Sequence, residues 1–69
     1  MSKTKIGPIE TWIRRELVMN ADDYTDCGEV QRTQLGEAYA TAHDLGETIP
    51  EEVWDAAHNA ATWFEEARA

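Results

Sequence analysis

Apolar positions recur every three to four residues over most of this chain, and the clearest run lies at its C-terminal end. Between Glu51 and Arg68, at about 100° per residue, Val53, Ala56, Ala57, Ala60, Phe64 and Ala67 fall on one arc of a helix. Glu51, Asp55, His58, Thr62, Glu65 and Glu66 fall on the opposite arc, and Trp54 and Trp63 on the two borders. Thr48 with Glu51 three residues on has the spacing of a capping box, Pro50 suits a first turn, and acids at the start with Arg68 at the end match the helix dipole. The pattern predicts a helix over 49–68. Its alanines imply close approach to a neighbouring helix, with Val53 and Phe64 as the larger fillers.

Two further helices are expected upstream. Ile9, Trp12, Ile13 and Leu17 follow the i, i+3, i+4, i+8 spacing and predict a helix over 8–20 opened by Pro8, with Glu16 interrupting its apolar arc and Arg14 and Arg15 turned away from it. The stretch Asn20–Asp26 has the composition of a turn. Asp26 and Glu29 then resemble a second capping pair, and a helix is expected over 26–45, closed by Gly46. Its apolar side carries Cys27, Val30, Leu35, Ala38, Tyr39 and Leu45. Glu37 and Asp44 lie on the other side with Gly36, which costs roughly 1 kcal/mol in a helix interior unless a neighbour packs there. Only Gly46-Glu47 separates this helix from the Thr48 cap, so the second and third predicted helices form an αα-hairpin. The fold expected is all-α, a compact three-helix domain spanning 1–69, with residues 1–7 as a flexible basic lead-in.

A chain of 69 residues buries only about 60% of its unfolded surface, which leaves little room for both a core and a roomy catalytic pocket. One cysteine excludes an internal disulfide, and no apolar run approaches the ~18 residues of a membrane helix. A reduced, cytoplasmic setting without a membrane follows as an expectation.

Charge changes the picture most. The formal net charge is −8, distributed as four basic residues against two acids up to residue 21 and twelve acids against two arginines after it. Such a field repels nucleic acid and anionic lipid and attracts basic partners. A helix-turn-helix reading of the second and third helices fails on this ground. Glu51, Glu52 and Asp55 stand where a recognition helix would meet phosphates.

Candidate chemistry is sparse. Cys27 lies on an apolar arc, where cysteine acts as a small hydrophobe. His43 with Glu47, and Asp55 with His58, have helical spacing for two ligands each, short of a zinc set. No metal, cofactor or catalytic residue is expected. The acidic arc admits a bland reading as a solvated face. The sharper one is a carboxylate surface formed by Glu51, Asp55, Glu65 and Glu66, with Glu37, Asp44 and Glu47 on the hairpin, bordered by Trp54 and Trp63. That surface fits a small non-catalytic inhibitor that occupies the basic, nucleic-acid-binding face of a protein target. Anti-CRISPR and anti-restriction proteins of phages and other mobile elements are inhibitors of this kind. The alternative is an interaction module that docks on a partner, or on a second copy as a homodimer, through exposed tryptophan and apolar helix surface.

Overall fold

The computed structural model describes residues 6–68, so most of the expected basic lead-in lies outside the described residues. The elements are α1 (Pro8–Met19), α2 (Ala21–Tyr24), β1 (Thr25–Asp26), β2 (Glu29–Val30), α3 (Arg32–Ala42) and α4 (Glu51–Arg68). Helix dominates, as the periodicity predicts. The strictly all-α expectation is corrected by a two-stranded antiparallel ribbon pairing Thr25 with Val30 and Asp26 with Glu29.

In α1, Pro8 occupies the first turn, where its missing N–H costs nothing, and Gly7 caps the helix in an extended conformation. Ile13 and Leu17 are fully buried, and Ile9 and Trp12 pack at the edge of the core. Glu16, the polar residue within the apolar arc, is only half-buried, and its Oε1 accepts hydrogen bonds from Tyr24 Oη at 2.9 Å and Asn20 Nδ2 at 3.3 Å.

The helix expected over 26–45 is shorter at both ends. At its start Cys27 and Gly28 have φ of 56° and 84°. Two consecutive positive φ values form the tight connection of a hairpin and cannot belong to a right-handed helix. Asp26 and Glu29 therefore face each other across the ribbon instead of capping a helix, and Cys27 is exposed at the turn rather than buried on an apolar arc. At the other end Asp44 takes φ 56°, Leu45 N–H bonds to Ala40 O at 2.9 Å, and Asp44 N–H bonds to Thr41 O at 3.3 Å. This pair of bonds is a Schellman closure centred on Asp44, so α3 ends before Gly46 is reached. Residues 43–50 form the connection to α4, in place of the two-residue turn expected.

The last helix begins at Glu51, not at a Thr48 cap. Val53 N–H bonds to Pro50 O at 3.0 Å, so the proline lies just ahead of the helix and supplies an acceptor to its first turn. Val53, Ala56, Ala57, Ala60, Ala61 and Phe64 are buried, and Ala67 is exposed. The four alanines keep this face low, so α1 and α3 both pack against it. Leu35 and Val30 complete the core from the other side. The shape is flattened, 34 × 34 × 18 Å between Cα extremes, and each fully buried Ile, Leu or Val in so thin a body contributes about 1.5–3 kcal/mol.

A polar clasp fastens the ribbon to α4. Val30 N–H donates to Glu65 Oε2 at 3.2 Å, and Arg32 reaches Glu65 Oε1 at 3.2 Å and Thr62 Oγ1 at 3.4 Å. One carboxylate thereby satisfies a backbone N–H of β2 and fixes the first residue of α3.

Candidate protein-binding surface

The first turns of α4 carry Glu51, Glu52 and Asp55, all exposed, and the preceding connection adds exposed Asp44 and Glu47. Glu51 and Asp55 are four residues apart, an axial separation of about 6 Å. The acids at the helix start also lie at its positive pole, the end at which negative side chains stabilise a helix. Glu37 is exposed on α3, and Glu66 is exposed near the end of α4.

The carboxylate arc expected along α4 is not continuous. Between Asp55 and Glu66 the outward positions are His58, Asn59 and Thr62, and eleven residues of helix put the two acids about 16 Å apart along the axis. Glu65, expected on the outward arc, is corrected to a clasp residue. Its carboxylate is held below the usual range by the Val30 N–H first and by Arg32 second.

Both border tryptophans are partly covered. Trp54 remains 36% exposed, but its indole lies against Gly36, where a Cβ would fall within 2.6 Å of Trp54 Cε3. Gly36 is thus buried beneath a side chain, which explains its place in the middle of α3. Trp63 is half-buried, and the Arg14 guanidinium sits over it at 4.4 Å while pairing with Glu10 at 2.8 Å.

Three of the four described arginines are tied back, and Arg15 is exposed outside any ion pair among the described residues. Arg14 is held by Glu10 and Trp63, Arg32 by Glu65, and Arg68 lies over Phe64 at 5.0 Å. Among the described residues only Glu10 and Glu65 of the carboxylates stand in ion pairs. The rest of the acidic surface keeps its capacity to accept charged hydrogen bonds from outside.

A second acidic region was missed by sequence reasoning, which took Asp22 and Asp23 as part of a turn and Asp26 with Glu29 as a helix-capping pair. Asp22 and Asp23 on α2 and Asp26 and Glu29 on the ribbon are all exposed. Beside them Val18 and Met19, at the end of α1, are 61% and 71% exposed. These two share a shallow cleft of about 430 Å³ with Asn20, Ala21, Asp22 and Asp23. The legible signal was the apolar pair itself, since at helical spacing it falls off the arc of Ile9, Ile13 and Leu17.

The histidines belong to different surroundings. His43 stacks on Tyr39 at 4.0 Å and meets Trp12 edge-on at 5.4 Å, whereas His58 is exposed on α4. Among the described residues no three His, Cys, Asp or Glu side chains converge as a metal set. No described helix is long and apolar enough to cross a membrane. Comparison with protein-family models, with curated proteins and with solved structures finds no match to this chain in any of the three.

Proposed function

We propose that the protein is a small, non-catalytic binding protein whose acidic surface occupies the basic, nucleic-acid-binding face of a protein target. The observation that carries this reading is the asymmetry of ion pairing. Of the four described arginines, those at 14, 32 and 68 are engaged on groups of the same chain and only Arg15 is not, while Asp44, Glu47, Glu51, Glu52 and Asp55 stand exposed and, among the described residues, outside any ion pair. Carboxylates displayed at helical intervals substitute for phosphates, and a target's Arg and Lys exchange their counterions for them. The α3–α4 unit, read as an αα-hairpin, carries this display with Glu37 at its flank and Trp54 at its border. Blocking a groove needs no chemical step, which fits inhibitors that phages and other mobile elements direct against restriction or CRISPR machinery.

Charge reversal tests the reading. The double change Glu51→Lys, Asp55→Lys leaves the core residues of α4 untouched, so the helical circular dichroism is expected to persist. Binding to the target at low salt is expected to fall by more than tenfold, because each reversal replaces an attractive contact by a repulsive one. Undiminished binding by the folded double variant sinks the reading.

A second reading has its own observation. Docking through apolar surface finds its anchor less in Trp54 and Trp63, which Gly36 and Arg14 partly cover, than in exposed Val18 and Met19. A homodimer built on this patch sets Asp22 and Asp23 of both copies close together, so the patch favours a different protein as its partner. Val18→Ser with Met19→Ser separates this mode from the acidic one.

A further inference from the structure

A groove on the opposite side of α3 from Trp54 combines aromatic walls with carboxylates. Trp12, Glu16, Tyr24, Glu37, Ala38 and Thr41 line a concavity of about 490 Å³ where α1, α2 and α3 meet. Its walls are fixed. Trp12 is braced edge-on by Tyr39, with ring centres 5.4 Å apart, and Tyr24 is anchored by its hydroxyl on Glu16. Burial, and then the hydrogen bond and charge of Glu16, push the Tyr24 phenol up to about 12, so it stays neutral and donating throughout the physiological range.

Glu16 is the informative residue. Both of its hydrogen bonds, from Tyr24 and from Asn20, arrive at Oε1. Among the described residues Oε2 has no donor, and the nearest arginines in sequence, Arg14 and Arg15, lie off this face of α1. Oε2 is open to solvent, so a donor from outside can reach it, and the two aromatic rings beside it suit a cation. Glu37 adds a second negative charge at the rim.

We infer that this groove is a cradle for one arginine side chain of a basic protein partner. The inference rests on the protein-binding reading above and assigns it a specific pocket. A guanidinium supplies a planar face for stacking on Trp12 or Tyr24 and N–H donors for Glu16 Oε2. A lysine ammonium offers a point charge without the stacking plane. An anionic group is repelled, and a neutral apolar one leaves the Glu16 charge desolvated. A second copy of this chain is disfavoured as the source of the arginine, because each copy carries −8.

The test is an NMR titration of the full chain with acetyl-Gly-Arg-Gly-amide at fixed ionic strength, beside the neutral citrulline counterpart. The arginine peptide is expected to give saturable shifts at the Trp12 indole N–H and the Ala38 and Thr41 amides, and the citrulline peptide none. Glu16→Gln retains an oxygen for the Tyr24 hydroxyl and removes the charge, and is expected to weaken binding about tenfold or more. Glu37→Gln, at an exposed position that leaves the core intact, is expected to weaken it several-fold and serves should Glu16→Gln fail to fold. Shifts scattered over all exposed acids, equal response to citrulline, or unchanged affinity in the folded variants overturns the cradle. Because the titration needs no natural partner, it fails independently of the charge-reversal experiment. An inert groove with a charge-dependent target retires the cradle alone, and a functioning groove with a charge-independent target retires the broader acidic surface.

Discussion

Gly36 and Glu65 show how single residues hold this thin body together. A methyl group at Gly36 meets the indole of Trp54, which lies across the α3 backbone. Gly36→Ala is therefore expected to destabilise the fold by about 1–3 kcal/mol from overpacking, partly offset by the ~1 kcal/mol gain in helix propensity. Adding Trp54→Phe should restore part of the loss, and urea unfolding of the two variants checks both statements. Glu65 links pH to stability. Its folded-state pKa is lowered by Val30 N–H and Arg32, so its contribution is present above the unfolded carboxylate value of about 4.3 and is lost as pH falls through the folded value. The melting temperature of Glu65→Gln is expected to lie below wild type at pH 7 and to converge with it at strongly acidic pH. Neither role was legible at a single position. Gly36 could be read only as an exposed cost or a packing site, and Glu65 lies on the polar side of a helical wheel. Its partners, Val30 and Arg32, are more than thirty residues away in sequence.

At the level of elements, long periodic helices were legible and short non-helical closures were not. The helix expected over 8–20 is realised as α1 (Pro8–Met19) because Pro8 and four apolar residues at helical spacing agree. The one expected over 49–68 is realised as α4 with a start two residues later. The helix expected over 26–45 failed at both ends for a related reason: a residue other than glycine adopts positive φ at each, joined at the first end by Gly28. Cys27 at φ 56° and Asp44 at φ 56° each turn the backbone left-handed; cysteine gives no sign of this, and aspartate, though enriched at positive φ, stood one residue inside the expected end with Gly46 as the more obvious closure. The turn at Cys27-Gly28 accordingly stores strain that sequence can relieve. Cys27→Asn is expected to stabilise the protein by about 0.5–1 kcal/mol, because asparagine tolerates this conformation better and Asn-Gly is the favoured pair for such a hairpin. Cys27→Val should act in the opposite direction. Thermal unfolding reads the difference as a shift of a few degrees in a domain of this size.

Across the described residues, the charge imbalance visible in the composition becomes a surface property because three of the four arginines are held on groups of the same chain while most carboxylates are not. The acidic residues named from sequence separate into an exposed group on the α3–α4 connection and the start of α4, Glu37 at the rim of the α1–α3 groove, an isolated Glu66, and Glu65 in the clasp. The tryptophans named as bordering anchors are part wall and part surface. What composition alone hid was the second acidic end beside Val18 and Met19, and the groove in which Glu16 keeps one oxygen open. Both depend on how α1, α2 and α3 converge, which no local pattern encodes. A surface so dominated by carboxylates should also make target binding strongly salt-dependent, whereas docking through Val18 and Met19 should vary little with ionic strength.

The most direct measurement is retention of a nucleic-acid-handling protein from cell extract on the immobilised chain, with elution by competing duplex DNA. The Glu51→Lys, Asp55→Lys variant is run beside wild type at the same ionic strength. If the acidic surface occupies a nucleic-acid groove, wild type retains the target, DNA releases it, and the folded variant does not retain it. A target held equally by both proteins and unmoved by DNA contradicts that reading and transfers the binding surface to the apolar end of α1.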